Sequence, residues 1–317
     1  MKKQLTIVTS TVAALVVALL SANRAQAQYN LTNFTTIDDP FGADTVVYSI
    51  DINNNNLVGA FRDGNGEHGF LYDGSTWMTL NDPSGAGGTT AYDMDGANIV
   101  GYYVDTNNMQ HGFLYNGSTW TTLDDANGVG GTVAYAISGA DIVGSYVDSS
   151  GTLNGFLYNG PTWTTLDVPG AIGTAVYGLE GNSIVGFYLD ASGKQHGFLY
   201  DGTTWTTLDD PVGAGGFAAT DISGNYISGV YNDSDGIQHG FLYDISTGTY
   251  TTVNDPLGAD GTSLDYINGD YATGSYLDSS GTQHGFVATL TPEPSAWVLA
   301  TLGGAGLLLV LRRKIRA

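Results

Sequence analysis

The residues of this chain with chemical potential recur in fixed places. All five histidines (His68, His111, His196, His239 and His284) stand directly before Gly-Phe, and Asn154 takes that place once. Imidazole next to carboxylate is the chemistry of proton transfer or metal ligation, and aspartates accompany every copy. One aspartate lies several residues upstream: Asp63, Asp105, Asp148, Asp190, Asp233 and Asp278. Others follow the next aromatic segment, as in Asp38-Asp39-Pro40, Asp82-Pro83, Asp124-Asp125, Asp209-Asp210-Pro211 and Asp255-Pro256. Ca²⁺, which takes about 6–8 oxygen ligands, would draw on Asp38, Asp39, Asp124, Asp125, Asp209, Asp210, Asp233 and Asp235. The competing role is turn chemistry and solubility, because Asp accepts backbone N–H bonds two residues on. No copy spells a full EF-hand loop, and Asp233-Ser234-Asp235-Gly236 is only a fragment of one.

A repeat positions these residues. From Gly69 the Gly-Phe pair recurs at spacings of 43, 43, 42, 43 and 45 residues, reaching Gly285. Trp77, Trp120, Trp163 and Trp205 recur with it. A period in the low forties signals a propeller or an array. In the second copy the strand-like runs are Thr89 to Met94, Asn98 to Tyr103, His111 to Tyr115 and Trp120 to Leu123. Asp95-Gly96, Asp105 to Asn108 and Asn116-Gly117 separate them, and the last predicts a tight type I′ hairpin. No segment of the body carries a helical period. Runs such as Ile142 to Tyr146 are apolar on both faces, as sheets packed between sheets require.

The last copy supplies three runs, Thr262 to Ile267, Tyr271 to Tyr276 and His284 to Leu290. The missing fourth is found at the other end, where Phe34 to Asp38 aligns with Trp77 to Asn81. The prediction is an all-β, six-bladed β-propeller of four-stranded antiparallel blades, its N-terminal strand closing the last blade and leaving no free edge. On such a ring the histidines lie a blade apart and cannot share one ion, whose ligands must sit at ~2.0–2.1 Å. A structural hydrogen bond is therefore their expected role, with Asn154 mimicking the ring. The aromatics Phe34, Trp77, Trp120, Trp163, Trp205 and Tyr250 are expected to pack between blades, and the Gly after each His to let blades approach closely. No blade stands out by singular chemistry, so no catalytic residue is assigned.

Composition narrows the function further. The chain of 317 residues has no Cys, which excludes disulfides and thiol catalysis. Between Gln28 and Leu290 only Arg62 and Lys194 oppose 30 acidic residues, a net charge of −28. Nucleic acid and anionic lipid headgroups are repelled by such a surface. The remaining basic residues sit at the two ends. Lys2-Lys3, an apolar run from Leu5 to Leu20 and Ala25-Gln26-Ala27 form a signal peptide over 1–27, with cleavage expected after Ala27. The propeller then occupies 28–290. The segment 291–317 holds Pro292-Glu293-Pro294, a mostly apolar stretch from Ala296 to Leu311 and Arg312-Arg313-Lys314. That stretch is expected to form an apolar membrane helix with its Arg cluster on the cytoplasmic side.

The order of these C-terminal features resembles the PEP-CTERM sorting signal. The resemblance implies an exosortase-type processing partner, in Gram-negative-type bacteria that make extracellular polysaccharide. It places the mature protein at the cell envelope, the surface or the matrix, anchored in the inner membrane before processing. The repeat itself resembles the HAF repeat family of extracellular bacterial proteins, with His-Gly-Phe here in place of His-Ala-Phe, and transfers no catalytic residue. Asp73-Gly74-Ser75-Thr76-Trp77 superficially resembles the Asp-box of sialidases, but its Asp–Trp spacing is one residue short and the body lacks their arginine cluster. The function expected is an exported, non-enzymatic surface or matrix protein associated with exopolysaccharide or biofilm. A carbohydrate-active hydrolase using paired carboxylates and a protein–protein scaffold are the alternatives. No cofactor is expected beyond the open question of Ca²⁺.

Overall fold

The computed structural model describes residues 29–209 and 215–292. The expected signal peptide, the helix from Ala296 to Leu311, Glu293 and Pro294 lie outside the described residues, as does Asp210. Within them every regular element is a strand. The first, β1 (Tyr29–Ile37), stands apart in sequence from its sheet. Blade 1 is β2 (Asp44–Asp51), β3 (Asn56–Asp63), β4 (Gly66–Tyr72) and β5 (Trp77–Leu80). Blade 2 is β6 (Gly88–Asp95), β7 (Asn98–Val104), β8 (Gln110–Tyr115) and β9 (Trp120–Leu123). Blade 3 is β10 (Thr132–Ser138), β11 (Asp141–Val147), β12 (Leu153–Asn159) and β13 (Thr162–Leu166). Blade 4 is β14 (Gly173–Glu180), β15 (Ser183–Leu189), β16 (Gln195–Tyr200) and β17 (Trp205–Leu208). Blade 5 is β18 (Ala218–Ser223), β19 (Tyr226–Asn232), β20 (Gln238–Asp244) and β21 (Thr249–Val253). Blade 6 takes β22 (Gly261–Asn268), β23 (Tyr271–Leu277) and β24 (Gln283–Pro292), and β1 completes it.

The six-bladed propeller and its closure by the N-terminal strand are thus as the repeat predicted. The first strands β2, β6, β10, β14, β18 and β22 touch one another in a closed ring and form the axis. Closure is carried by specific contacts: Phe34 packs on Phe286 at 5.2 Å, and Thr36 shares a hydrogen bond with the Tyr276 hydroxyl. Leu31–Leu290 forms one compact unit.

The core lies between blades. One phenylalanine per third strand is fully buried (Phe70, Phe113, Phe156, Phe198, Phe241 and Phe286). Each faces a second-strand glycine. A Cβ on Gly101 would lie 1.9 Å from the Thr90 carbonyl oxygen and 2.9 Å from the Phe113 ring, so no side chain fits. The glycine after each histidine serves blade contact as expected: a Cβ on Gly197 would meet Phe217, which leads into the next blade, at 2.6 Å. The recurrent aromatics pack against the clusters between blades, as expected, and also on rings of their own blade. Trp77 stacks on Tyr72 at 4.4 Å and meets Phe70 edge-on at 4.9 Å, all within its own blade. Trp77, Trp120, Trp163 and Trp205 each also lie against a cluster shared with the preceding blade.

One turn also differs. Residues 116–119 form a four-residue connection between Tyr115 and Trp120, not a two-residue hairpin. The Asn116 side chain accepts the Ser118 and Thr119 N–H groups, so the turn closes through the side chain and only Gly117 needs positive φ.

Backbone N–H groups of one blade also bond to the first strand of the blade before. The Gly139 N–H donates to Asp95 Oδ2 at 2.6 Å and the Gly224 N–H to Glu180 Oε2 at 2.6 Å. These bonds hold neighbouring first strands in register around the axis.

Candidate functional site

Each first strand carries one β-bulge, with register slips at Val47/Ser49, Ala91/Asp93, Ala134/Ala136, Val176/Gly178, Ala219/Asp221 and Leu264/Tyr266. A bulge leaves one residue unpaired and re-aims its side chain. The residues so released are Tyr48, Tyr92, Tyr135, Tyr177, Thr220 and Asp265, and all six line a half-open axial cavity of about 420 Å³. The four tyrosines form a continuous arc, with centroids 4.7 Å apart for Tyr48–Tyr92, 4.9 Å for Tyr92–Tyr135 and 4.6 Å for Tyr135–Tyr177. Burial raises the hydroxyl pKa of all four, that of Tyr135 to about 12, so the arc is neutral phenol.

Blades 5 and 6 break the pattern, with Thr220 and Asp265 in the tyrosine place. Gln195, Asn232 and Gln238 complete the polar side of the cavity. Asp265 Oδ1 accepts the Ser263 hydroxyl at 2.6 Å, while Oδ2 has no hydrogen-bond partner among the described residues. Burial pushes the Asp265 carboxyl up to about 6, against that one bond.

Two further carboxylates lie deeper. Asp93 is buried and accepts from the Ser49 hydroxyl at 2.7 Å, the Met94 N–H at 2.7 Å and the Ile137 N–H at 2.8 Å. It thereby ties blades 1, 2 and 3 together. Burial lifts it to about 7 in spite of these donors. Asp221 accepts the Ile267 N–H of blade 6 at 3.1 Å; burial, then the charge of Asp93, raises it well above the usual range. A second cavity of about 190 Å³, lined by Asp51, Asp95 and Glu180, shares Asp93, Asp221 and Tyr266 with the first. Among the described residues neither lining holds a Lys or Arg. This axis can bind and orient a ligand through aromatic faces and acceptor oxygens; its deeper carboxylates are engaged in holding blades together.

The histidines serve as clasps. His196 Nδ1 bonds Asp209 at 2.8 Å, beyond the fourth strand, and Nε2 bonds Asp190 at 3.3 Å, in the turn before the third. His284 repeats this with Asp38 at 3.0 Å and Asp278 at 3.4 Å; His111 bonds Asp124 at 2.9 Å, and its Nε2 approaches Asp105 at 3.6 Å without a hydrogen bond. In the other two, Asn81 and Asn254 stand at Nδ1. A second-strand aromatic lies against each ring, as Tyr103 does on His111 at 5.0 Å. Asn154 reproduces only part of this: its side-chain amide donates to the Thr152 carbonyl, and Asp167 takes the Gly155 N–H instead.

The Ca²⁺ set is dispersed over these clasps and turns. Asp38, Asp124 and Asp209 are occupied by histidines. Buried Asp39 and Asp125 accept the Phe41 and Asn127 N–H groups. Asp233 accepts the Asp235 and Ile237 N–H groups and meets His239, and the Asp235 carboxylate is exposed. Among the described residues no three His, Asp or Glu side chains converge as a metal site requires.

The expectation that no blade has singular chemistry is corrected by the axis. Tyr48, Tyr92, Asp93, Tyr135, Tyr177, Asp221 and Asp265 went unassigned because the bulge shifts the in–out alternation by one residue. Aligned first strands carry the signal: Tyr recurs in four copies and gives way to Thr220 and Asp265 in the last two.

No protein-family model matches the chain, and no curated protein does. Solved propellers share its fold. SapL1 lectin in complex with α-methyl fucoside is 16% identical over 80% of this chain and 98% of that one, with a TM-score of 0.54. TolB from Acinetobacter baumannii is 16% identical over 74% of this chain, with a TM-score of 0.52, and the match spans 63% of the TolB chain. A fungal lectin from Aleuria aurantia, described as a six-bladed β-propeller with a novel fucose recognition mode, is 15% identical over 80% and 96%, with a TM-score of 0.50. At such identities the likeness is one of architecture: the chain folds as a six-bladed β-propeller.

Proposed function

We propose that this protein is an exported, non-catalytic surface or matrix component that binds extracellular polysaccharide. The observation that carries the reading is the pairing of an N-terminal export signal with the Pro292-Glu293-Pro294, apolar stretch and Arg cluster series around an acidic propeller. An exosortase-type protease is the proposed processing partner, and the cell envelope or matrix the proposed location. The fold likeness to fucose-binding propellers supports a saccharide as ligand class. The absence of Lys and Arg from the axial cavities favours a ligand without anionic groups. Incubation of the protein with its producer's own polysaccharide should carry it into the pellet on centrifugation; a protein left entirely in the supernatant, with or without Ca²⁺, overturns the reading. Mass spectrometry of the mature protein should find the N-terminus at Gln28 and the C-terminus near Pro292, and a peptide intact through Arg316 overturns the processing step.

A second reading, a protein–protein scaffold, is favoured by one observation. Phe41, Val129, Ile172 and Leu257 are 52–64% exposed, each on a loop that links one blade to the next. Four Ser substitutions there should abolish partner capture and leave polysaccharide binding intact.

A further inference from the structure

The axial cavity exists where the repeat fails. Consecutive tyrosines at 4.6–4.9 Å wall the blades 1 to 4 side, and the space lies beside Thr220 and Asp265. Its volume of about 420 Å³ is within the range of small-ligand sites. Three features of this space point the same way. The tyrosine faces carry negative quadrupole potential, which attracts cations within about 6 Å of a ring. Asp265 adds a carboxylate with one oxygen wholly unpartnered among the described residues, a group that burial leaves in want of a positive neighbour. No Lys or Arg in the lining supplies one. The −28 body further concentrates cations at its surface. A bare metal ion fits poorly, since no three acidic or imidazole ligands converge among the described residues. An anion would meet Asp265 with no compensating charge.

We propose that the axial cavity binds an organic ammonium cation, its charge set between the tyrosine arc and Asp265. The ammonium group has two carriers in chemistry, a free alkylamine or an amino sugar of a glycan. The site assignment stands apart from the polysaccharide reading: either can fail alone.

The test is calorimetric titration of the full chain with two matched pairs: choline against its neutral isostere 3,3-dimethylbutan-1-ol, and glucosamine against glucose. At least one cation should bind with one-to-one stoichiometry and about tenfold or more tighter than its neutral partner. Binding of choline assigns a free amine as carrier, and binding of glucosamine alone assigns a glycan. Asp265→Asn, isosteric and uncharged, should weaken the cation by about tenfold or more. Thr220→Tyr, which restores the repeat's residue, should close the space and abolish binding, with an unchanged melting transition as the check on folding. Equal affinity for the charged and neutral members of both pairs, or full binding by Asp265→Asn, overturns the proposal. So does a wild-type protein that takes up neither cation.

Discussion

Asp265→Asn isolates the energetics of the axis. The carboxyl sits near Tyr48, whose hydroxyl pKa its charge raises, and among the described residues only Ser263 donates to it. Holding it at about 6 against an ordinary 3.8 is worth at most about 3 kcal/mol, at ~1.4 kcal/mol per tenfold. Asp265 lines an open cavity, so water screens part of this and the figure is a ceiling. The sign follows from proton binding. Between pH 3.8 and about 6 the native protein keeps a proton that the unfolded chain has released. Stability therefore falls as pH rises through that window, and the full cost is present above it. Asparagine keeps the acceptor for Ser263 and removes the charge. The variant should be no more stable than wild type near pH 3.5, and more stable by up to about 3 kcal/mol near pH 8, a gain of roughly 5 °C in melting temperature for a ring of this size. Urea unfolding at both pH values reads the difference directly. A gain of equal size at both, or a loss near pH 8, would refute the assignment of a strained, ionisable carboxyl at this place. Because the same substitution is expected to weaken cation binding, stability and affinity should move in opposite directions, as at sites where burial of charge is retained for function.

Three further outcomes follow from the packing. Gly101→Ala would place a methyl 1.9 Å from the Thr90 carbonyl oxygen and should cost about 3 kcal/mol or more in urea unfolding, whereas Gly64→Ala meets nothing within 4 Å and should be near neutral. The His284 clasp should be pH-dependent at both ends: burial lowers the imidazole pKa but Asp38 and then Asp278 outweigh it, so its stabilisation is lost as pH rises through a pKa above 6.5. Asp278, lowered to about 2 first by the Ser280 hydroxyl and then by the Thr282 N–H, loses its contribution as pH falls below 3.8. His284→Ala should therefore lower the melting temperature more at about pH 5.5 than at about pH 9, and equal losses would remove the charge from the clasp. Deleting residues 29–37 leaves β24 with an unpaired edge; size-exclusion chromatography should find aggregated protein in place of a monomer, and a monomeric, cooperatively folding product would show that β1 does not close the ring.

Much of the architecture was legible because it is repeated. Thr89 to Met94 lies inside the observed Gly88–Asp95, Trp120 to Leu123 matches to the residue, and Phe34 to Asp38 runs one residue past the closing strand, which ends at Ile37. The histidine clasp was half legible: one ring cannot share an ion with the next, but nothing in the sequence told that Nδ1 and Nε2 would each meet a different loop. The axis was illegible for a definite reason. Tyr92 and Asp93 are neighbours, and strict alternation assigns them to opposite faces. The bulge between Ala91 and Asp93 suspends alternation there, so Tyr92 faces the axial cavity and Asp93 still lines it while bonding both adjacent blades. Tyr177 and Thr220 fill the same structural place and differ only in what they leave open. Repetition therefore explains the ring, and the two copies that depart from it explain why the ring is not closed at its centre. A sequence reading that averages over copies finds the first and erases the second, and with it Thr220 and Asp265, which leave the space the four tyrosines line.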